Sequence, residues 1–266
     1  MKNAAVKLIR ILLSGTAFFF FWSGGALLSW VILPAVRFYY EGDPLMQARR
    51  CRAWVSGGFR LHVGYMHFCR LVHFDPRDIR RQLPDGPFVL TANHPTLIDV
   101  VLILAVYPSI YCVAKSALFK SPLVGRLLTY CDHIDAGEGD AISGAAVLHG
   151  AIARLRAGDP VLVFPEGTRS PMRGLGHFKR GAFEISCRAG VPVVPLFIAC
   201  EPPGLMKGMA WYTVPTGTMR FKMAVLAEQH PAAFGGEARV MAEQVRGLFE
   251  QQMQAGRGSA GNSAAA

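Results

Sequence analysis

The chain has 266 residues, of which 52% are hydrophobic and only 17% charged, and it carries a formal net charge of +10. This length accommodates one domain and an appendage. The apolar residues concentrate before residue 40, which points to a membrane segment and not an oversized core, and no long Lys/Arg tract with interleaved aromatics directs the basic balance toward nucleic acid.

Lys2, Lys7 and Arg10 open the chain, and no residue from Ile11 to Val36 is charged. A bilayer core takes about 20 apolar residues of helix. Three structures satisfy the run: a single spanning helix, a helical hairpin broken at Gly24-Gly25 and dipping into one leaflet, or a cleaved signal peptide. Its length and the lack of an A-x-A site disfavour the last. Cations on both flanks leave the orientation open. Residues 45–73 read as one or two helices. Their Arg49, Arg50 and Arg52, with Trp54, Phe59, Tyr65 and Phe68 nearby, form either a solvated face over core residues or an interfacial helix on anionic lipid.

From about residue 86 the pattern becomes α/β. Phe88–Ala92 reads as a buried strand, followed by Pro95 at the first position of a helix. Further strands are expected at Ile110–Ala114, Val161–Phe164, Val193–Ala199 and 218–227. Helices are expected at 141–156, 179–189 (closed by Gly190) and 237–253. This alternation predicts an α/β fold with a largely parallel sheet flanked by helices, preceded by a membrane-associated helical segment. The chain divides into membrane-anchoring helices (1–75), an α/β domain (76–254) and a disordered tail (255–266) rich in Gly, Ser and Ala. The six cysteines, Cys51, Cys69, Cys112, Cys131, Cys187 and Cys200, include no C-x-x-C pair and read as small buried thiols.

Four segments carry candidate chemistry. In Asn93-His94-Pro95-Thr96-Leu97-Ile98-Asp99 a His and an Asp lie five residues apart. On a regular helix they would point about 140° apart, so they meet only if His94 sits at a non-helical cap. A neutral imidazole there could take a hydroxyl proton while the carboxylate fixes its tautomer. His73 and Asp78 share the spacing but lie in a charged linker before any strand. Phe164-Pro165-Glu166-Gly167-Thr168-Arg169-Ser170 follows a strand and offers an acceptor, a hydroxyl and a guanidinium fork in one turn. Phe178-Lys179-Arg180-Gly181 places cations at a helix start, where the dipole favours a bound anion. Val191-Pro192-Val193-Val194-Pro195 brackets a strand with prolines beside the site.

Together and in this order, these segments resemble the lysophosphatidate (1-acylglycerol-3-phosphate) acyltransferase family over roughly residues 86–200, including Ala114–Gly125, which is similar to the family's linker helix. The resemblance implies direct transfer of a fatty acyl chain from acyl-CoA or acyl carrier protein to the acceptor hydroxyl, with no acyl-enzyme. No metal or cofactor is implied beyond the thioester co-substrate. It further implies His94 as general base, Asp99 as its orienting partner, and Glu166, Gly167, Thr168 and Arg169 as the acceptor's glycerol-phosphate site. The expected partners are a lyso-lipid and the thioester donor, without nucleic acid. The expected location is the cell membrane, with the catalytic domain on its cytoplasmic face. One position departs from the pattern. The family's short second motif ends in an Asp-Arg-like pair, and here Asp135 is followed by Ala136. Either Arg126, Lys179 or Arg180 supplies the missing charge, or the acceptor is a different lyso-lipid or hydroxylated lipid handled by the same His/Asp mechanism.

Overall fold

The computed structural model describes residues 2–139 and 141–263. The apolar run is a helical rod: α1 (Lys2–Leu27), a π-helical turn (Leu28–Ile32) and α2 (Leu33–Tyr39). Gly24-Gly25 does not break it. Instead the glycines of the rod and its neighbour are points of close approach, since a Cβ on Gly25 would meet Leu123 at 3.7 Å and one on Gly58 would meet Leu28 at 3.0 Å. The chain folds back at Tyr40–Asp43, where the Asp43 carboxylate accepts the Met46 N–H at 2.9 Å and caps α3 (Pro44–Phe68). Ala4–Tyr39 is long and apolar enough to cross a membrane, and only 11% of its most apolar window is buried, so it is not a core helix.

The catalytic domain follows as β1 (Val72–His73), α4 (Pro76–Arg80), β2 (Val89–Ala92), α5 (Asp99–Val106), β3 (Tyr111–Ala114), α6 (Ser116–Phe119), α7 (Val124–Tyr130), β4 (Ile134–Asp135), α8 (Ala141–Arg156), β5 (Val161–Val163), α9 (Gly181–Ala189), β6 (Val193–Glu201), β7 (Met219–Val225) and α10 (Ala238–Ser263). The sheet order is β1-β7-β6-β2-β5-β3-β4. From β6 to β4 all neighbours are parallel; β7 runs antiparallel to β6, and β1 is parallel to β7. The alternation of strand side chains builds two cores. Leu90, Leu162 and Val194, aligned across β2, β5 and β6, face α5 and the hairpin, whereas Val89, Val161 and Val193 face α9 and α10.

Several boundaries differ from the sequence reading. Helix α5 begins at Asp99, with Ile98 at its N-cap, and not at Pro95; the Asp99 carboxylate holds Thr96 in the turn before it. His73 lies in an edge strand and not in a linker. The last helix continues as far as Ser263, through residues read as tail; extending an established helix adds one hydrogen bond per residue fixed. Ala264, Ala265 and Ala266, the end of that tail, lie outside the described residues.

Candidate active site

Strand β2 delivers the site. Just beyond it the Asn93 amide continues the ladder to β6: its Nδ2 donates to the Ile198 carbonyl at 2.8 Å, and its Oδ1 accepts the Ile198 N–H at 2.7 Å. This side chain fixes the exit of the strand and hence the start of His94. The His94 N–H donates to Ser170 Oγ at 3.1 Å and to Glu166 Oε1 at 3.3 Å, and its carbonyl accepts the Ser170 N–H at 2.7 Å. Its ring stacks on Phe164, with centroids 4.4 Å apart.

His94 Nδ1 lies 2.8 Å from Asp99 Oδ2, and the Asp99 side chain is completely buried. The same carboxylate accepts the Thr96 N–H at 2.7 Å and the Thr96 hydroxyl at 2.6 Å. Asp99 is the first residue of α5, with Ile98 at the N-cap, and its carboxylate reaches back to the N–H and hydroxyl of Thr96 in the turn before the helix. One side chain thereby starts α5 and orients the histidine. With Asp99 accepting at Nδ1, the proton is assigned to that nitrogen, which leaves Nε2 as an acceptor. Nε2 has no protein partner among the described residues. The His94 side chain retains 19% exposure and lines a cavity of about 2190 Å³. Behind Asp99, burial, reinforced by the Asp99 charge, pushes the Cys200 thiol up to about 12, so Cys200 stays a neutral thiol.

The cavity has an apolar arm between the helical hairpin and α5, lined by Phe21, Phe59, Met66, Val101 and Leu104 among others. At its polar end stand Lys115, Thr168, Arg169, Lys179 and Arg180. Gly167 has φ +62°, and a Cβ there would meet Lys179 Nζ at 3.2 Å. The glycine therefore provides both a left-handed turn and room for the ammonium. Arg169 Nη1 donates to the carbonyls of Leu205 and Met206 at 3.3 and 3.2 Å.

Two of the expected site residues stand elsewhere. Glu166 is buried and does not line the cavity. Its Oε2 accepts the Gly176 N–H at 2.6 Å, while its Oε1 takes the Ser170 hydroxyl and the His94 N–H. The carboxylate is consumed in holding the loop and the histidine backbone. Arg126 lies 3.8 Å over the Trp30 ring and off the cavity wall, held there by the rod.

The structure also brings in residues the sequence reading passed over. Ala114 and Asp135 are register partners on β3 and β4, so Lys115 stands beside Ala136, and both line the cavity. The Lys115 cation therefore sits next to the position lacking an Arg. Ser170 and Gly176 are structural partners of Glu166. A legible signal existed for Thr96, since Thr-x-x-Asp before the apolar run Val100–Val106 is a capping pattern. None existed for the pairing of β3 with β4.

A family model described as Acyltransferase matches residues 75–199. The chain is 34% identical over 112 residues to the chloroplastic 1-acyl-sn-glycerol-3-phosphate acyltransferase BAT2 of Brassica napus, covering 42% of this chain and 33% of that protein. It is 28% identical over 249 residues to the lysophospholipid acyltransferase LPCAT4 of Homo sapiens, covering 87% of this chain and 45% of that protein. It thus spans about a third to a half of the length of these curated relatives. The crystal structure of the 1-acyl-sn-glycerophosphate acyltransferase PlsC from Thermotoga maritima superposes with a TM-score of 0.58 at 26% identity, covering 94% of this chain and 96% of that one.

Proposed function

We propose that the chain is a member of the lysophosphatidate acyltransferase family, as its likeness to the Acyltransferase model, to the curated relatives and to PlsC supports, and that it moves a fatty acyl group from acyl-CoA or acyl carrier protein to the free hydroxyl of lysophosphatidate. The observation that carries this reading is the His94–Asp99 pair at 2.8 Å, opening onto a cavity with one apolar arm and one cationic end. A lipid acceptor needs both: a place for hydrocarbon and a place for phosphate.

In this mechanism His94 Nε2 takes the proton of the acceptor hydroxyl as its oxygen attacks the thioester carbonyl carbon. Asp99 holds the ring and stabilises the imidazolium that forms. The carbon–sulfur bond then breaks, and the departing thiolate receives the proton from His94. The products are one ester and one free thiol, with no acyl-enzyme. Lys115, Arg169 and Lys179 are the cations for the acceptor phosphate, with the Gly167-Thr168 turn between them. Glu166 acts through the loop it holds. The exposed apolar rod anchors the enzyme in the cell membrane, with the catalytic domain on the cytoplasmic side where thioester donors are made.

Ala136 on the cavity wall favours a second reading, a lyso-phospholipid acceptor other than lysophosphatidate. The two readings separate in an assay of thiol release by detergent-purified enzyme, with each donor, across lysophosphatidate and other lyso-lipids. Release with lysophosphatidate is expected. Lys115→Ala should then raise the KM for that acceptor by roughly 10- to 150-fold, the worth of a charge-assisted phosphate contact, without changing the KM for the donor. Release only with an acceptor lacking the terminal phosphate would overturn the lysophosphatidate assignment. An equal change in both KM values would remove Lys115 from the phosphate site.

A further inference from the structure

A second concave site lies outside the catalytic cavity, at the β1 edge of the sheet. It has a volume of about 350 Å³ and is lined by His67, Phe68, Arg70, His73, Thr218 and Arg220 among others. His73 and Arg220 are register partners on the parallel strands β1 and β7, while their neighbours Val72 and Met219 point into the core. The His67 and His73 rings lie 5.3 Å apart. Basic side chains are thus gathered on one surface, and no carboxylate among the described residues lines it. Glu201 is the register partner of Arg220 on β6 but forms no ion pair with it. Neither the Arg70 nor the Arg220 guanidinium has a protein partner among the described residues. Two guanidinium groups without protein partners on one concave surface suit an anion.

Arg70 ends α3: its φ is +53°, its N–H donates to the His67 carbonyl and the Leu71 N–H donates to the Met66 carbonyl, the left-handed stop of a helix. Two donors fix its carbonyl: Arg10 Nη1 from α1 at 3.2 Å and the Thr218 hydroxyl at 2.8 Å. The cleft is therefore tied directly to the apolar rod. Its rim is Phe68, 85% exposed at the end of α3, where the negative end of the helix dipole also favours cations. An exposed aromatic ring beside clustered cations, one hydrogen bond from a membrane helix, is the composition of a bilayer interface and not of a site for a free solute.

We infer that this cleft binds the phosphate of an anionic phospholipid headgroup in the membrane on which the enzyme sits. The inference rests on the membrane anchoring proposed above, and the two are separable. Partition of the full chain is measured on vesicles of phosphatidylcholine alone and of phosphatidylcholine mixed with phosphatidylglycerol, for the wild type, R70Q/R220Q, and the control R81Q/R156Q, which removes two exposed cations elsewhere. The wild type should bind both vesicles and prefer the anionic ones. R70Q/R220Q should keep its binding to neutral vesicles and lose roughly 30-fold of the anionic preference, the worth of two interfacial cations. The control should lose far less. An unchanged preference in R70Q/R220Q, or an equal loss in the control, would overturn the headgroup site. Release of the wild type from anionic vesicles by inorganic phosphate at constant ionic strength would also overturn it, by making the cleft a free-phosphate site. Failure of the wild type to bind neutral vesicles would instead sink the anchoring.

Discussion

Asp99 and Glu166 are both buried carboxylates near the same histidine, and their partners give them different tasks. Asp99 receives the imidazole and the Thr96 donors, whereas Glu166 receives backbone and hydroxyl donors from its own loop and the His94 N–H. The second arrangement leaves no room beside it: a Cβ on Gly176 would lie 2.6 Å from Glu166 Oε2. Gly176→Ala should therefore cost about 1–3 kcal/mol of stability, as overpacking does, and lower kcat by shifting the loop whose Glu166 and Ser170 hold the His94 backbone. Thermal unfolding with parallel kinetics checks both effects, and an unchanged Tm would mean that the loop yields freely. His133 tests burial in the same way. Its Nδ1 accepts the Cys112 N–H at 3.0 Å, and burial, helped by the Arg52 and Arg154 charges, lowers its pKa to about 3. Above the ordinary value of 6.5 the ring is neutral in both the folded and unfolded chains. As pH falls from there toward 3, only the unfolded chain takes up the proton, so stability declines by up to about 1.4 kcal/mol per pH unit. His133→Asn, which can still accept the Cys112 N–H, should flatten the acid limb of a Tm-against-pH curve; an identical slope would assign that limb to other groups.

Helix α5 shows how an element boundary becomes part of the chemistry. Pro95 suggested a helix start one residue after the histidine, but the helix begins at Asp99, whose carboxylate reaches back to Thr96 in the preceding turn. Thr96→Val keeps the shape and removes the hydroxyl. It should cost about 1 kcal/mol in stability and lower kcat while leaving the KM for the acyl donor unchanged. A normal kcat would mean that the backbone N–H alone orients Asp99. The main strands and the long helices were legible because their apolar periodicity is strong over many residues. The two-residue strands Val72–His73 and Ile134–Asp135 were not, since strands so short carry no period. Missing β4 concealed that Lys115 stands beside Ala136. The FPEGTRS turn was legible as a site, but the direction of Glu166 was not, because it is set by Gly176, ten residues away in sequence.

At the scale of the whole molecule, the active site gathers at the carboxyl ends of the parallel strands. His94 follows β2, Lys115 follows β3, Ala136 follows β4 and the Pro165–Arg169 turn follows β5. An open α/β sheet presents its ligands there because the loops between strands and helices converge at that edge. What is added is the hairpin of α1 and α3, which walls the cavity with apolar side chains and turns a sheet edge into a site for hydrocarbon. The segment from Leu205 to Gly217 ties the two parts together. At one end its Leu205 and Met206 carbonyls hold Arg169, and at the other Pro215 and Gly217 accept the Arg10 guanidinium from the rod. The apolar rod and the Arg169 guanidinium thus share one support. The central claim, that His94 draws the proton from a lipid hydroxyl, is tested most directly by mass spectrometry of the lipid formed from lysophosphatidate and a long-chain thioester by wild type and His94→Ala at matched fold and membrane binding. Phosphatidate from the wild type and none above background from the variant is the expected result; phosphatidate from the variant at the wild-type rate would contradict it.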